Sequence, residues 1–111
     1  MSIAVTGSVA VDHLATFPGL FSEQLVPGKL DQLSLSFLVE ELDVRHGGVA
    51  ANIAAGLARL GLRPLLVAAA GGDFDGYRAR LEAAGVDTAG VLVRASAYTA
   101  QFWCTTDLAQ N

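Results

Sequence analysis

Asp12 and the stretch from Gly47 to Asn52 (GGVAAN) are the places in this 111-residue sequence where residue type and spacing suit recognition of an oxygen-rich small molecule. Two adjacent glycines let a ligand come close to the backbone, and an apolar helical pattern begins directly after them. Backbone N–H groups and the positive end of a helix dipole then face whatever lies before that helix. Asn52, in the first turn, adds a donor and an acceptor suited to reading a hydroxyl group. The plainer reading of the same residues is a tight turn with a capping Asn, and the motif alone does not choose between the two. Asp12 follows a short apolar run and is expected in a loop at the carboxyl end of a strand, where open α/β sheets bind ligands. A carboxylate there accepts hydrogen bonds from two neighbouring hydroxyls and so selects a vicinal diol; the alternative is a solvated turn Asp. Taken together, Asp12, Gly47, Gly48 and Asn52 favour a polyol site.

The elements that must position these residues follow from hydrophobic spacing. Residues 2–8 (SIAVTGS) and 64–70 are short apolar runs of the kind that form buried strands. Between Gly48 and Leu60, Val49, Ile53, Leu57 and Leu60 make a helical stripe, with Gly61 as its stop. Gly71-Gly72-Asp73 is an exit turn, with Asp73 or Asp75 as the cap of a second helix carrying Tyr77, Leu81 and Ala84 and closed by Gly85. Val91 with Val93, and Ala100 with Phe102 and Cys104, alternate as strands do. From 19 to 45 the pattern changes. Leu33, Leu35, Phe37 and Val39 have the period-2 spacing of a half-buried antiparallel strand, and residues 21–26, bounded by Pro18 and Pro27-Gly28, are its expected partner. Together they predict a small β flap inserted after the first strand. Strands alternating with helices imply an α/β fold with a mainly parallel sheet. Two helices cover little of such a sheet, so the chain is expected to be part of a longer domain or half of an obligate assembly.

Composition narrows the function classes. The net charge is −4, 52% of residues are hydrophobic and 16% charged, and the basic residues are scattered, which argues against a nucleic-acid partner. The first basic residue is Lys29 and the apolar runs are short, so neither a secretory leader nor a membrane span is expected, and a cytoplasmic location is. Cys104 is the single cysteine, read as a buried structural thiol. His13 and His46 have no partners at metal-ligand spacing and are read as surface or turn histidines. Phe37 and Phe102 each alternate with apolar neighbours, for which core packing is the default. No phosphate loop of the form G-x-x-x-x-G-K-[ST] and no dinucleotide fingerprint occurs.

The run VTGSVAVDHL at 5–14, the GGVAAN turn at 47–52 and AAAGGDFDG at 68–76 resemble, in order and spacing, the N-terminal half of the ribokinase-like (PfkB-type) carbohydrate and nucleoside kinases. Within that family, the stretch FSEQL…LSLSFLVEEL is most similar to bacterial adenosine kinases. The resemblance implies a ribokinase-like fold in which residues 1–111 are the N-terminal substrate-binding part of one domain, with β lid elements at about 14–45. It implies that Asp12 binds the ribose 2′ and 3′ hydroxyls, and that Gly47 and Gly48 through the backbone and Asn52 through its side chain hold other ribose oxygens. Ser8 lines the base pocket, Ser36 and Phe37 close over the nucleoside, and Phe102 stacks on adenine. The family's Gly-Ala-Gly-Asp-type catalytic segment and its ATP-binding region are not found in these residues. The parent protein is therefore expected to use ATP and Mg²⁺ at sites outside this chain, which alone is expected to be inactive. A ribose or other sugar kinase is the alternative within the family. A catalytically inactive module that dimerises through the lid is the alternative from another class.

Overall fold

The computed structural model describes residues 2–32, 36 and 38–111. In chain order its strands and α-helices are β1 (Ala4–Thr6), β2 (Ala10–Thr16), β3 (Glu41–Gly47), α1 (Val49–Arg59), β4 (Leu65–Gly71), α2 (Asp75–Ala84), β5 (Val91–Arg94) and β6 (Ala100–Thr106). Packing divides the chain into two units, Met1–Val11 with His46–Phe102, and Asp12–Arg45 with Trp103–Asn111.

In the first unit the expected apolar runs pair as a parallel sheet in the order β1-β4-β5, with Val5 opposite Leu66 and Ala68 opposite Val91. The helix α1 packs on β1, β4 and α2. Its buried face differs from the expected one. Ala50, Ala51 and Ala54 are at most 1% exposed, whereas Val49, Ile53 and Leu60 are 68%, 49% and 78% exposed. VAANIAAGLAR is apolar on nearly every side, so helical periodicity alone does not select a face. The alanine face brings the helix axis closest to the sheet, and close packing of the interior rewards that approach. Both helices end as predicted on a glycine in the left-handed region, Gly61 at φ +90° and Gly85 at φ +106°. In each case the residue after the glycine donates back across the last turn, Leu62 N–H to Leu57 and Val86 N–H to Leu81. Leu66, Phe74, Val86 and Leu81 fill the core together with the alanines; full burial of a Phe or Leu contributes about 1.5–3 kcal/mol.

Neither Asp73 nor Asp75 caps α2. Phe74 holds the N-cap position without a side-chain cap bond, and Asp75 is the first helical residue. Asp73 Oδ1 instead accepts the Thr99 N–H at 2.7 Å and the Thr99 hydroxyl at 2.8 Å. The same buried hydroxyl oxygen accepts the Gly71 N–H at 3.1 Å. This ties the end of β4 to the start of β6, a long-range bond that outcompetes a local cap.

In the second unit, β2 is the central strand of a sheet in the order β3-β2-β6. The Phe17 N–H donates to Thr106 at the carboxyl ends of β2 and β6, while the Glu40 N–H, just before β3, donates to Thr16. The sheet is therefore mixed. The first of the two expected flap strands is not formed. Residues Phe21–Glu23 form a 3₁₀ turn in place of a strand, because Glu23 and Gln24 donate to Leu20 and Phe21 in i→i−3 bonds. Pro27 and Gly28 do make a turn, with Gly28 at φ +82° and the Lys29 N–H donating to Val26. Leu33, Ser34, Leu35 and Phe37, on which the second expected flap strand rests, lie outside the described residues. Asp107, 2% exposed, accepts the N–H groups of Phe21, Ala109 and Asn111. Cys104 is half-buried on β6, not fully buried as expected. Among the described residues no helix is long and apolar enough to cross a membrane.

Hydrogen bonds from Thr99 hold the Asp73 carboxyl below the usual carboxylate range, and bonds from Phe21 and Asn111 do the same for Asp107. A depressed folded-state pKa contributes stability that is present above the unfolded pKa and lost as the pH falls through the folded one. The urea midpoint of the chain should thus decline on acidification from roughly pH 4 downwards. Asp73→Asn and Asp107→Asn should each flatten that decline; an unchanged acid limb in both variants would contradict the assignment.

Candidate functional site

The turn before α1 is shaped by the approach of one backbone to another. Gly48 has φ +95°, and a Cβ added to it would lie 2.6 Å from the Ser8 carbonyl oxygen and from Val9 Cα. Only glycine meets both demands, the left-handed φ and the missing volume. Because the chains approach so closely, Ser8 satisfies the start of the helix. Its Oγ accepts the Val49 N–H at 2.9 Å, and its carbonyl accepts Ala50 at 3.1 Å and Ala51 at 3.4 Å. The open helix N-terminus expected from the sequence is thus largely occupied by a capping serine supplied from 41 residues earlier in the chain.

That arrangement answers one of the open questions about Asn52. Gly48, not Asn52, holds the N-cap position, and Ser8 caps the first amides. The Asn52 backbone N–H donates to Gly48 at 3.0 Å, while its exposed carboxamide has no hydrogen-bond partner among the described residues. The capping reading of Asn52 is therefore set aside. Ser8 is exposed and its hydroxyl oxygen already accepts one bond, which leaves the O–H hydrogen able to donate to another group.

Gly47 is fixed from the other side. The Tyr77 hydroxyl, buried in the core, donates to the Gly47 carbonyl at 2.7 Å. His46 stacks on the Tyr77 ring with centroids 4.1 Å apart and planes 9° from parallel, and its Nδ1 lies 3.2 Å from Arg80 Nη1. Burial, with the Arg80 charge beside it, holds the His46 imidazole below its ordinary pKa, so the neutral ring accepts from the guanidinium. His46 is accordingly a half-buried packing residue, and the surface reading of it is corrected. His13 is corrected too: it lies half-buried within β2 and stacks on Trp103 at 3.8 Å. Neither pairing has a sequence signature: His46 and Tyr77 are 31 positions apart and His13 and Trp103 are 90 apart, so no helical or strand period relates them, and stacking partners on different elements are set by the fold alone.

The structure brings Ser8, Gly47 and Gly48 together at the start of α1, with Asn52 one turn on. Phe102, the last residue of the first unit, is 53% exposed, so the core-packing reading of its ring does not hold. Asp12 and Ser36 belong to the second unit. Asp12 lies inside β2, not in a loop as expected, half-buried and without a hydrogen-bond partner among the described residues. The apolar run at 2–8 and the polar pair Asp12-His13 hid this strand, because β2 begins only four residues after β1 ends. Ser36 is exposed, and Phe37 lies outside the described residues. Groups of three or more side chains able to hold a metal ion are absent among the described residues.

Comparison with known proteins bears on this arrangement. Residues 3–111 match the family described as pfkB family carbohydrate kinase. A nucleoside kinase of Methanothermobacter thermautotrophicus is 46% identical over 68 residues, which cover 60% of this chain and 22% of that protein. The structure of a Burkholderia thailandensis nucleoside kinase in complex with inosine superposes with a TM-score of 0.78 at 35% identity, over 99% of this chain and 34% of that one. A Cryptococcus neoformans ribokinase in complex with ADP gives 0.79 at 27% identity, over 100% and 32%. The chain thus spans about a third of these structures and less of the curated relative.

Two substitutions test the turn. Ser8→Ala should lower the unfolding free energy by about 1 kcal/mol, the usual worth of an N-cap side chain. Gly48→Ala should cost more than about 2 kcal/mol, since backbone strain adds to the collision with Ser8. Urea denaturation measures both, and a Gly48→Ala chain as stable as the native one would mean that the two backbones do not approach as described.

Proposed function

We propose, from the premise that this chain belongs to the pfkB family of carbohydrate kinases, that it supplies the acceptor site of an enzyme transferring the γ-phosphate of ATP to the 5′-hydroxyl of adenosine. The observation that carries this reading is the uncommitted Asn52 carboxamide one turn beyond Gly48, with α1 already capped by Ser8. A polar side chain displayed beside a glycine turn and not used by the protein is suited to a ligand.

The roles follow residue by residue. The Asp12 carboxylate accepts from the ribose 2′ and 3′ hydroxyls. The Gly47–Gly48 backbone and the Asn52 side chain bind further ribose oxygens, and Ser8 donates its hydroxyl hydrogen toward the base. Phe102 offers an exposed face for stacking, while Ser36 and Phe37 belong to the lid. These residues orient the acceptor; in phosphoryl transfer such alignment supplies a large part of the rate. ATP and Mg²⁺ would supply the phosphoryl group and its charge neutralisation; among the described residues no group of three or more side chains offers a ligand set for the metal. Their sites are assigned to sequence outside these 111 residues, as is the catalytic base. A cytoplasmic location and pairing of two copies through the lid belong to the same reading.

A nucleoside acceptor is supported by the inosine complex of the Burkholderia relative and by the exposed Phe102 ring. Ribose is the second reading, supported by the similarity to a ribokinase. Calorimetry on the chain with adenosine, inosine and ribose separates them. Adenosine should bind at least roughly tenfold more tightly than ribose, about 1.4 kcal/mol or more, and Phe102→Ala should remove most of that margin. Equal affinities for adenosine and ribose would defeat the nucleoside assignment, and inosine binding above adenosine would move it to another base. With ATP and Mg²⁺ added, the chain alone should form no AMP.

A further inference from the structure

Tyr77 is 6% exposed, and a phenylalanine would fill its place in the core equally well. What the hydroxyl adds includes a bond to the Gly47 carbonyl at 2.7 Å. That carbonyl and the Gly48 N–H belong to a single peptide group, which is planar and trans, so the direction of one sets the direction of the other. Glycine on both sides gives this peptide no steric preference of its own, and an unrestrained peptide between two glycines rotates readily. Beyond it the chain is held by Ser8, through Val49 and Ala50. Before it, His46 is held by stacking on the Tyr77 ring and by Arg80. Two elements thus grip the turn from opposite ends, and the Tyr77 hydroxyl is the group that touches the glycine peptide itself.

We propose that Tyr77 is a positioning residue, whose hydroxyl, carried on α2, aims the Gly48 N–H at the substrate. This rests on the reading above in which the Gly48 backbone binds a ribose oxygen. Tyr77 touches no substrate, and acts only through the peptide it orients. It also couples α2 to the acceptor site, although α2 contributes no residue to that site.

The test compares Tyr77→Phe with Leu81→Val, a conservative change at a buried position one turn further along α2. Tyr77→Phe keeps the ring stack and removes only the donor. Its Gly48 amide resonance should move, and Gly48 hydrogen exchange should speed up, while both stay unchanged in Leu81→Val. Adenosine affinity by calorimetry should fall roughly tenfold in Tyr77→Phe and hold in Leu81→Val, the scale expected for one misdirected hydrogen bond. A Gly48 resonance in Tyr77→Phe that coincides with the native one overturns the proposal, as does an equal loss of affinity in both variants. If the native chain binds no nucleoside, the functional reading falls, and the Gly48 resonance by itself then decides the positioning role.

Discussion

The approach of the Ser8 backbone to Gly48 is the constraint from which the rest of the first unit follows. With no side chain at Gly48, the loop after β1 comes close enough for Ser8 to satisfy Val49, Ala50 and Ala51 through its hydroxyl and its carbonyl. Without such partners the first amide groups of α1 would lack an acceptor within the protein, as the start of any helix does. One serine therefore couples the first strand to the first helix. The same contact fixes the rotation of α1 about its axis, since three successive amides at its start are tied to one residue.

Once that rotation is set, the small face of α1 lies inward, Val49 and Ile53 lie outward, and Leu57 is half-buried. Ala50, Ala51 and Ala54 allow the helix to sit low on β1 and β4, and the α2 residues Tyr77 and Leu81 complete the core beside them. Exposed Val49, Ile53 and Leu60 are the counterpart of that choice. The polar bonds divide the remaining work: Thr99 and Asp73 fasten the end of β4, and Arg78, Glu82 and Thr88 fasten α2 to the segment leading into β5. Such networks contribute when their buried members are satisfied, and among the described residues none of these side chains has a buried polar atom left without a partner.

The second unit relies on a different device. Its mixed sheet places Asp12 in the central strand, where the backbone is held by neighbours on both sides. A carboxylate on such a strand has a better defined direction than one on a loop, which suits the proposed recognition of a diol. Asp107 organises the residues around it by accepting three backbone amides, a pattern in which the charged form of the carboxyl is the one that is bonded.

The amino-acid sequence by itself determined the parallel pairing of the apolar runs, both α-helices and their glycine stops, because these depend on local periodicity and on φ angles that favour glycine. It also singled out Gly47-Gly48 and Asn52 as special. Only the tertiary structure decided which face of α1 is buried, that Ser8 caps it, that Asp73 serves Thr99 in place of α2, and that Asp12 stands on a strand. Each of those outcomes turns on a contact between residues distant in sequence, and several candidate partners satisfy the local rules equally well. The turn at Gly48 shows the division most clearly. Its glycines are legible as a place of close approach, but what approaches, the Ser8 backbone on one side and the Tyr77 hydroxyl on the other, is settled by the packing of β1 and α2 around it.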